Sequence, residues 1–264
     1  MFDPHSLPAA LREARDPLAA QAEDAGLNAT HVREQVLVDG WLVRFANSRA
    51  KRARSINAIG AGVLPLDEKI ERAQALFDAA GQPLIFRVTP FSQPGNLDAA
   101  LAERGFEAFD EALVMLAGLD DLVAPDCTLP IYEVGPREFA ETAGRLYGDD
   151  AARIAVDAER AEAFPGRGIR LLLGEREAPV AAACVLFDGR LAGLYGVQTR
   201  EDMRGRGYAT QLVATLLQRA RTAGASHACL QVGGSNVGAR SLYARFGFKE
   251  RYAYWYRGTP EGGH

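Results

Sequence analysis

The feature that most narrows what this chain can fold into is a repeated order of elements. A helical pattern from Leu66 to Ala80 ends at Gly81 and is followed by the apolar run Leu84-Ile85-Phe86-Arg87-Val88, a short helix from Leu97, and Arg104-Gly105-Phe106. The same order returns about 142 residues later: Ala209 to Ala223 ends at Gly224, then come Ala228-Cys229-Leu230-Gln231-Val232, a helix and Phe246-Gly247-Phe248. A β/α unit therefore occurs twice. With 264 residues, 48% of them hydrophobic, both copies have enough apolar side chain to bury a core. Between them Leu116 to Pro136, broken by Gly118, Asp120, Asp121, Pro125, Asp126, Pro130 and Pro136, marks a linker. The units are thus expected over 1–125 and 126–264, the second starting near Ile131. Residues 5 to 35 read as one or two helical segments packed on the first unit.

Thirty Lys and Arg against thirty-four Asp and Glu give a formal charge of −4, which supplies no global field for a nucleic-acid backbone. Cys127, Cys184 and Cys229 are widely separated, with no metal or redox spacing, and read as small buried hydrophobes. Met1 to Arg15 carries Asp3, Pro4, Pro8 and Glu13, so neither a signal peptide nor a membrane span is expected, and the location expected is cytoplasmic.

In the second unit Arg170 to Gly174, Pro179 to Phe187 and Arg190 to Thr199 read as three antiparallel strands, with Asp188-Gly189 as a hairpin turn. The next helix carries Ala209, Leu212, Val213, Leu216, Leu217 and Ala220 as one apolar stripe facing a sheet. The fold class is α+β, each unit a mixed, mostly antiparallel sheet flanked by helices.

Arg204-Gly205-Arg206-Gly207-Tyr208-Ala209-Thr210 lies between the end of a strand and the start of that helix. Glycines at a helix entrance let backbone N–H groups converge, and the helix dipole adds about half a positive charge there, so the turn suits a phosphate or pyrophosphate. A P-loop would need Gly-Lys-Ser/Thr, and the dinucleotide fingerprint would need Gly or Ala at Thr210 within a βαβ unit; neither is present. An Arg-Gly turn with solvated charges is the alternative.

One strand later comes Asn236-Val237-Gly238-Ala239-Arg240-Ser241-Leu242-Tyr243-Ala244-Arg245-Phe246-Gly247-Phe248. R-x-x-G-x-A at Arg204, Gly207 and Ala209, followed by N-x-x-A-x-x-L-Y-x-x-x-G-F, resembles the two acetyl-coenzyme A motifs of the GNAT superfamily of N-acetyltransferases. The likeness covers roughly residues 131 to 257, with the first unit a degenerate partial copy. It implies acetyl-CoA as cosubstrate, held at its pyrophosphate by the backbone of Arg204, Gly205, Arg206, Gly207, Tyr208 and Ala209, with Thr210 counted among the cofactor-binding residues. It further implies that Leu194, Tyr195, Gly196 and Val197 lie on a strand that splays from its neighbour and exposes backbone to the pantetheine and thioester; Gly196 suits a bulge there. Asn236 would bind the pantetheine arm, unless Ser235 or Asn236 serves as an ordinary helix cap. Tyr243 matches the family's general acid, unless it only packs beside Leu242. Proton transfer from a phenol of pKa about 10 to a thiolate of about 8.5 is uphill by about 2 kcal/mol.

Deprotonating the acceptor is the harder requirement, since an alkyl ammonium of pKa about 10.4 is neutral in about one molecule in 2,500 at pH 7. Gln198 and Gln231 on the central strands do not titrate; Asp149, Asp150, Asp157, Glu159 and Glu162 could bind a cationic amine or form a solvated helix face, while Glu201 and Asp202 are expected to be solvated or paired with Arg204 or Arg206. The first unit reads Gly60-Ala61-Gly62-Val63-Leu64-Pro65-Leu66-Asp67-Glu68 at the phosphate position, without arginine, and Leu101 aligns with Tyr243, so it is not expected to bind the coenzyme but to shape the acceptor site. Arg44, Arg49, Lys51, Arg52 and Arg54, near Trp41 and Phe45, form a solvated strand edge, or meet an acidic acceptor, the cofactor's 3′-phosphate or the partner half.

The expected activity is transfer of an acetyl group to a small-molecule or peptide primary amine by direct attack, without metal or covalent enzyme intermediate. The alternative is an inactive acyl-CoA-binding sensor; an ATP-binding protein is disfavoured by the missing Lys-Ser/Thr. No membrane or nucleic-acid partner is expected, and a homodimer stays open.

Overall fold

The computed structural model describes residues 2–120 and 128–259; the expected boundary at 125/126 and Cys127 lie outside the described residues. The first unit runs α1 (Ala9–Glu13), α2 (Pro17–Asn28), β1 (Gln35–Val38), β2 (Trp41–Arg44), β3 (Ile56–Asn57), α3 (Leu66–Ala79), β4 (Ile85–Val88), α4 (Leu97–Glu103) and β5 (Glu107–Gly118). The second runs β6 (Ile131–Glu133), α5 (Pro136–Tyr147), α6 (Ala151–Ala163), β7 (Gly168–Glu175), β8 (Ala178–Asp188), β9 (Leu191–Thr199), α7 (Tyr208–Thr222), β10 (His227–Gly233), α8 (Val237–Ala244) and β11 (Lys249–Gly258). The repeat is real: α3, β4 and β5 begin 142 residues before α7, β10 and β11.

Three expectations shift. Leu116–Gly118 end β5 rather than open a linker. Asp188 closes β8 in register with Leu191, so the hairpin turn is Gly189-Arg190, with Gly189 at φ 56°. Of residues 5 to 35, Gln35 already belongs to β1, and α2 packs on both units rather than one: Ala19, Ala22 and Ala25 meet Ile85 of the first and Leu191, Cys229 and Tyr252 of the second.

Among the described residues, eleven strands join one mixed sheet in the order β1-β2-β3-β4-β11-β5-β10-β9-β8-β7-β6. Of these strand pairs β3–β4 and β9–β10 are parallel, each the place where a helix crosses over, and the others described are antiparallel. The units exchange their last strands: β5 pairs with β10, β11 pairs with β4, and the two pair with each other. Each unit's sheet is thereby completed by the other's final strand. The expected α7 stripe is the core, with Leu212, Val213, Leu216, Leu217 and Ala220 fully buried against β7 to β10. At about 1.5–3 kcal/mol per large side chain, that face fixes where the N-terminus of α7 points. No helix among the described residues is long and apolar enough to cross a membrane.

Candidate functional site

β9 and β10 pair only from Leu191/His227 to Leu194/Leu230. Beyond that point β10 stays with β5 and β9 with β8, so the parallel pair opens into a V. On β9 the register jumps: Tyr195 faces Cys184 and Gln198 faces Ala182, which puts Gly196 and Val197 opposite Ala183. This is the bulge expected at Gly196, whose φ is +61°. A bulge takes a residue's backbone groups out of the ladder and aims them away from the neighbouring strand.

The V leads to the entrance of α7. Gly207, at φ +81°, is the N-cap and supplies no side-chain cap, and the first helical bond is Gln211 N–H to Gly207 C=O at 3.1 Å. The N–H groups of Tyr208, Ala209 and Thr210 therefore have no acceptor among the described residues. A side-chain carbon at Gly205 or Gly207 would meet nothing within 4 Å, so the turn is open. Arg204 and Arg206 are exposed and bound only to backbone carbonyls, of Thr199 and Asp202, each at 3.3 Å. Glu201 and Asp202 are exposed, the solvated alternative of the expectation; Asp202 pairs with Arg200 at 2.7 Å rather than with Arg204 or Arg206.

Asn236 caps α8 through its Oδ1, which accepts from Ala239 N–H at 3.1 Å, so the ordinary capping role is realised. Tyr243 is buried, edge-on to Phe248 with ring centroids 6.0 Å apart, and burial pushes its phenol up to about 12. Cys184 and Cys229 are buried free thiols, each pushed up to about 12 by burial.

The first unit's counterpart of the phosphate turn is occupied by its own chain. Val63 and Leu64, which stand 142 residues before Gly205 and Arg206, donate their backbone N–H groups to the carboxylate of Asp39 at 3.0 and 2.9 Å. Lys69, almost fully buried, backs this carboxylate at 3.4 Å and donates to the carbonyls of Asp39 and Ala61. Asp67 and Glu68 are turned away to Arg104 and Arg72. No local signal in the sequence connects Asp39, in a hairpin turn, to a loop twenty-four residues on.

Next to the bulge lies a cleft of about 310 Å³. Its floor comes from β7 to β9 (Arg170, Cys184, Leu186, Tyr195, Gly196), one wall from α5 and α6, and its roof from the first unit's Thr30, Ser48 and Arg52. Both units build it. Of the five acidic candidates only Asp149 and Asp157 line it. Asp150 caps α6 at Arg153 N–H, Glu162 pairs with Arg137, and Glu159 is exposed. Burial, aided by Asp149, holds the Asp157 carboxyl above the usual carboxylate range despite Arg160 and Arg153.

The basic cluster is not a solvated strand edge. Arg44 is buried, donating to Gln35 and to the Leu27 carbonyl, and burial lowers it to about 10. Arg49 pairs with Asp149 of the second unit and lies 3.8 Å from the Tyr147 ring centre. Arg52 reaches Thr30 at 2.5 Å and the side chain of Gln231 on β10 at 2.8 Å. Contact with the partner half is the reading these two residues support.

Residues 172–256 match the family described as FR47-like protein. A Bacillus subtilis (strain 168) protein named Uncharacterized N-acetyltransferase YobR is 28% identical over 232 residues, 84% of this chain and 91% of that protein. Among solved structures, a GCN5-related N-acetyltransferase from Kribbella flavida superposes with a TM-score of 0.66 at 22% identity, covering 96% of each chain. A tandem GNAT protein from the clavulanic acid biosynthesis pathway gives 0.56 at 16% identity over 72% of this chain and 66% of that one.

Proposed function

We propose that this chain, which has the fold of the GCN5-related N-acetyltransferases, moves an acetyl group from acetyl-CoA to a primary amine by direct attack, with only the second unit binding the coenzyme. The observation that carries the reading is the combination of the bulge at Gly196, the opening of β9 from β10 beyond Leu194/Leu230, and the uncapped entrance of α7 that follows β9. Acetyl-CoA supplies the activated acyl group and a thiolate leaving group. The residues present fit it: the N–H groups of Tyr208, Ala209 and Thr210 lack acceptors, the turn is open, and neither Arg204 nor Arg206 is held by a carboxylate. Arg204 to Thr210 would hold the pyrophosphate, with Asn236 alongside the pantetheine arm.

Leu194 to Val197 would line the pantetheine, and backbone N–H groups at the bulge, of Gly196 or Val197, would polarise the thioester carbonyl. Asp157 would take the proton of the attacking amine, and the Tyr243 phenol would donate one to the sulfur as the C–S bond breaks. The cleft beside Gly196 would hold the amine. The first unit keeps its own anion, the Asp39 carboxylate, at the equivalent turn and contributes the cleft's roof.

The sensor reading draws on Gln198 and Gln231, which occupy the central strands, are held by Leu146 and Arg52, and do not titrate. Free-thiol release at saturating acetyl-CoA across a panel of amines separates the two. Turnover with one amine establishes the transferase, whereas coenzyme binding with turnover of none establishes the sensor, and failure to bind the coenzyme removes both.

A further inference from the structure

We infer that the cleft is built for an amine that also carries a carboxylate, an α-amino acid with an apolar side chain. The inference deepens the acetyltransferase reading and rests on it only for the fate of the amine. Three guanidiniums, of Arg52, Arg160 and Arg170, face two carboxylates, of Asp149 and Asp157, in the lining. A polyamine or a polycationic antibiotic would bring only positive charge to that excess, and like charges in a half-buried cleft repel.

The cations are not equally engaged. Arg52 is held by Thr30 and Gln231. The Arg170 side chain, half-buried, makes no hydrogen bond or ion pair among the described residues. Arg160 donates through Nη1 to the Asn47 carbonyl at 2.9 Å and pairs with Asp157 at 3.4 Å, while its buried Nη2 has no hydrogen-bond partner and lies 3.7 Å from Glu34 Oε2. A guanidinium half withdrawn from water and left unpaired, as that of Arg170 is, is unfavourable, and its planar fork matches a carboxylate in two parallel hydrogen bonds.

Position completes the argument. Arg170 is in register with Cys184 on β8, and Cys184 with Tyr195 on β9, the residue before the bulge. The row spans two strand spacings, roughly 10 Å. An anion on the Arg170 fork therefore lies on the sheet face that Cys184 and Tyr195 share, in the same cleft as Gly196 and about two strands away from it. Asp149 is taken up by Arg49 and Arg153, whereas Asp157 has only Arg160, at 3.4 Å, within ion-pair distance. Cationic and anionic subsites thus sit together in a cleft whose apolar lining includes Phe139, Phe164, Leu186 and Tyr195. That is the charge pattern of an α-amino acid with an apolar side chain, and the first unit's roof leaves room for a small molecule rather than a folded protein.

The test is titration calorimetry on the full chain with L-phenylalanine, L-leucine and L-methionine, each against its own amide, which keeps the amine and removes the carboxylate charge. At least one acid should bind about tenfold more tightly than its amide, and Arg170→Gln should bring that ratio to near one, with Arg170→Lys between. Acid and amide binding equally, a ratio unmoved by Arg170→Gln in a variant of wild-type circular dichroism, or no binding by any of the six overturns the inference. Coenzyme turnover with amines but no preference for the acids removes this inference alone. Preference for the acids without any acetyl transfer removes the transferase reading and leaves the amino-acid site standing.

Discussion

The carboxylate of Asp39 lies 2.9 Å from the backbone nitrogen of Leu64, in the place where the second unit presents Arg206 with no side chain in the way. Two copies of one turn thus differ in whether the chain fills its own anion site. Asp39→Asn keeps a residue that tolerates the left-handed backbone there, at φ 42°, but removes the charge facing Lys69. The hydrogen bonds from Leu64 and Val63 hold the Asp39 carboxyl below its ordinary value of 3.8. A lowered folded pKa contributes stability above that value and loses it as pH falls through the folded one. The variant should therefore melt below the wild type at pH 7, with a gap that closes below pH 3.8, while acetyl-CoA affinity stays unchanged. Thermal unfolding as a function of pH and a coenzyme titration check both.

Glu23 of α2 joins both units by accepting from Arg87 on β4, at 2.9 Å for one of two bonds, and from the Tyr252 hydroxyl on β11 at 2.7 Å. Burial pushes this carboxyl up, and the Arg87 charge with the bonds from Arg87 and Tyr252 more than offsets it. Glu23→Gln leaves a fully buried guanidinium without its counter-charge, which should destabilise by about 3–5 kcal/mol in urea unfolding. Arg87→Met in the same chain should recover part of that loss, because the unpaired charge goes with it.

What the sequence displays is what depends on local spacing. The α7 stripe, the hairpin before β9 and the bulge at Gly196 follow from the helical or strand period and from one glycine's freedom, and all three are present. The strand exchange does not, because nothing in Glu107–Gly118 distinguishes pairing with β10 from pairing with β4, and the proline-rich stretch after it drew Leu116–Gly118 into a linker. The cleft was equally hidden: its lining comes from residues 29–52, 139–170 and 184–196, brought together only by the shared sheet. Arg170 carried no signal as an isolated charge in a strand.

Tyr243→Phe preserves the ring contact with Phe248 and should fold normally. If the phenol protonates the departing sulfur, kcat should fall about 100-fold with the coenzyme Kd unchanged. Because burial raises this phenol to about 12, it stays protonated across the working range, and no basic limb below that pH should belong to it. An unchanged kcat removes the assignment.

Gly207 has φ +81°, so any side chain there adds backbone strain, and Gly207→Ala isolates that effect. Gly207→Glu adds bulk and a negative charge at the helix entrance. The charge favours the helix dipole but opposes a bound pyrophosphate, so stability should fall no further than in the alanine variant. Coenzyme affinity should nonetheless drop at least about 100-fold in the glutamate variant, read by equilibrium titration. Equal affinities in the two variants would place the pyrophosphate elsewhere.

Asp157 is the carboxylate best placed to deprotonate an acceptor, because Asp149 is committed to Arg49 and Arg153 while Glu162 and Asp150 are spent on Arg137 and a helix cap. Burial raises its pKa above the usual 3.8, and a base must be deprotonated to act, so kcat/KM should climb with pH through that raised value before the amine's own ionisation takes over. Asp157→Asn should lose this acid limb and about 100-fold in kcat near neutrality. As pH approaches the pKa of the acceptor amine the substrate arrives already neutral, so the defect should shrink toward the wild-type rate. A merely structural role for Asp157, bracing Arg160 at 3.4 Å, predicts a defect that is the same at every pH. The pH profile of the variant relative to wild type decides between the two: a constant ratio excludes Asp157 as the base, and a ratio that recovers at high pH assigns it.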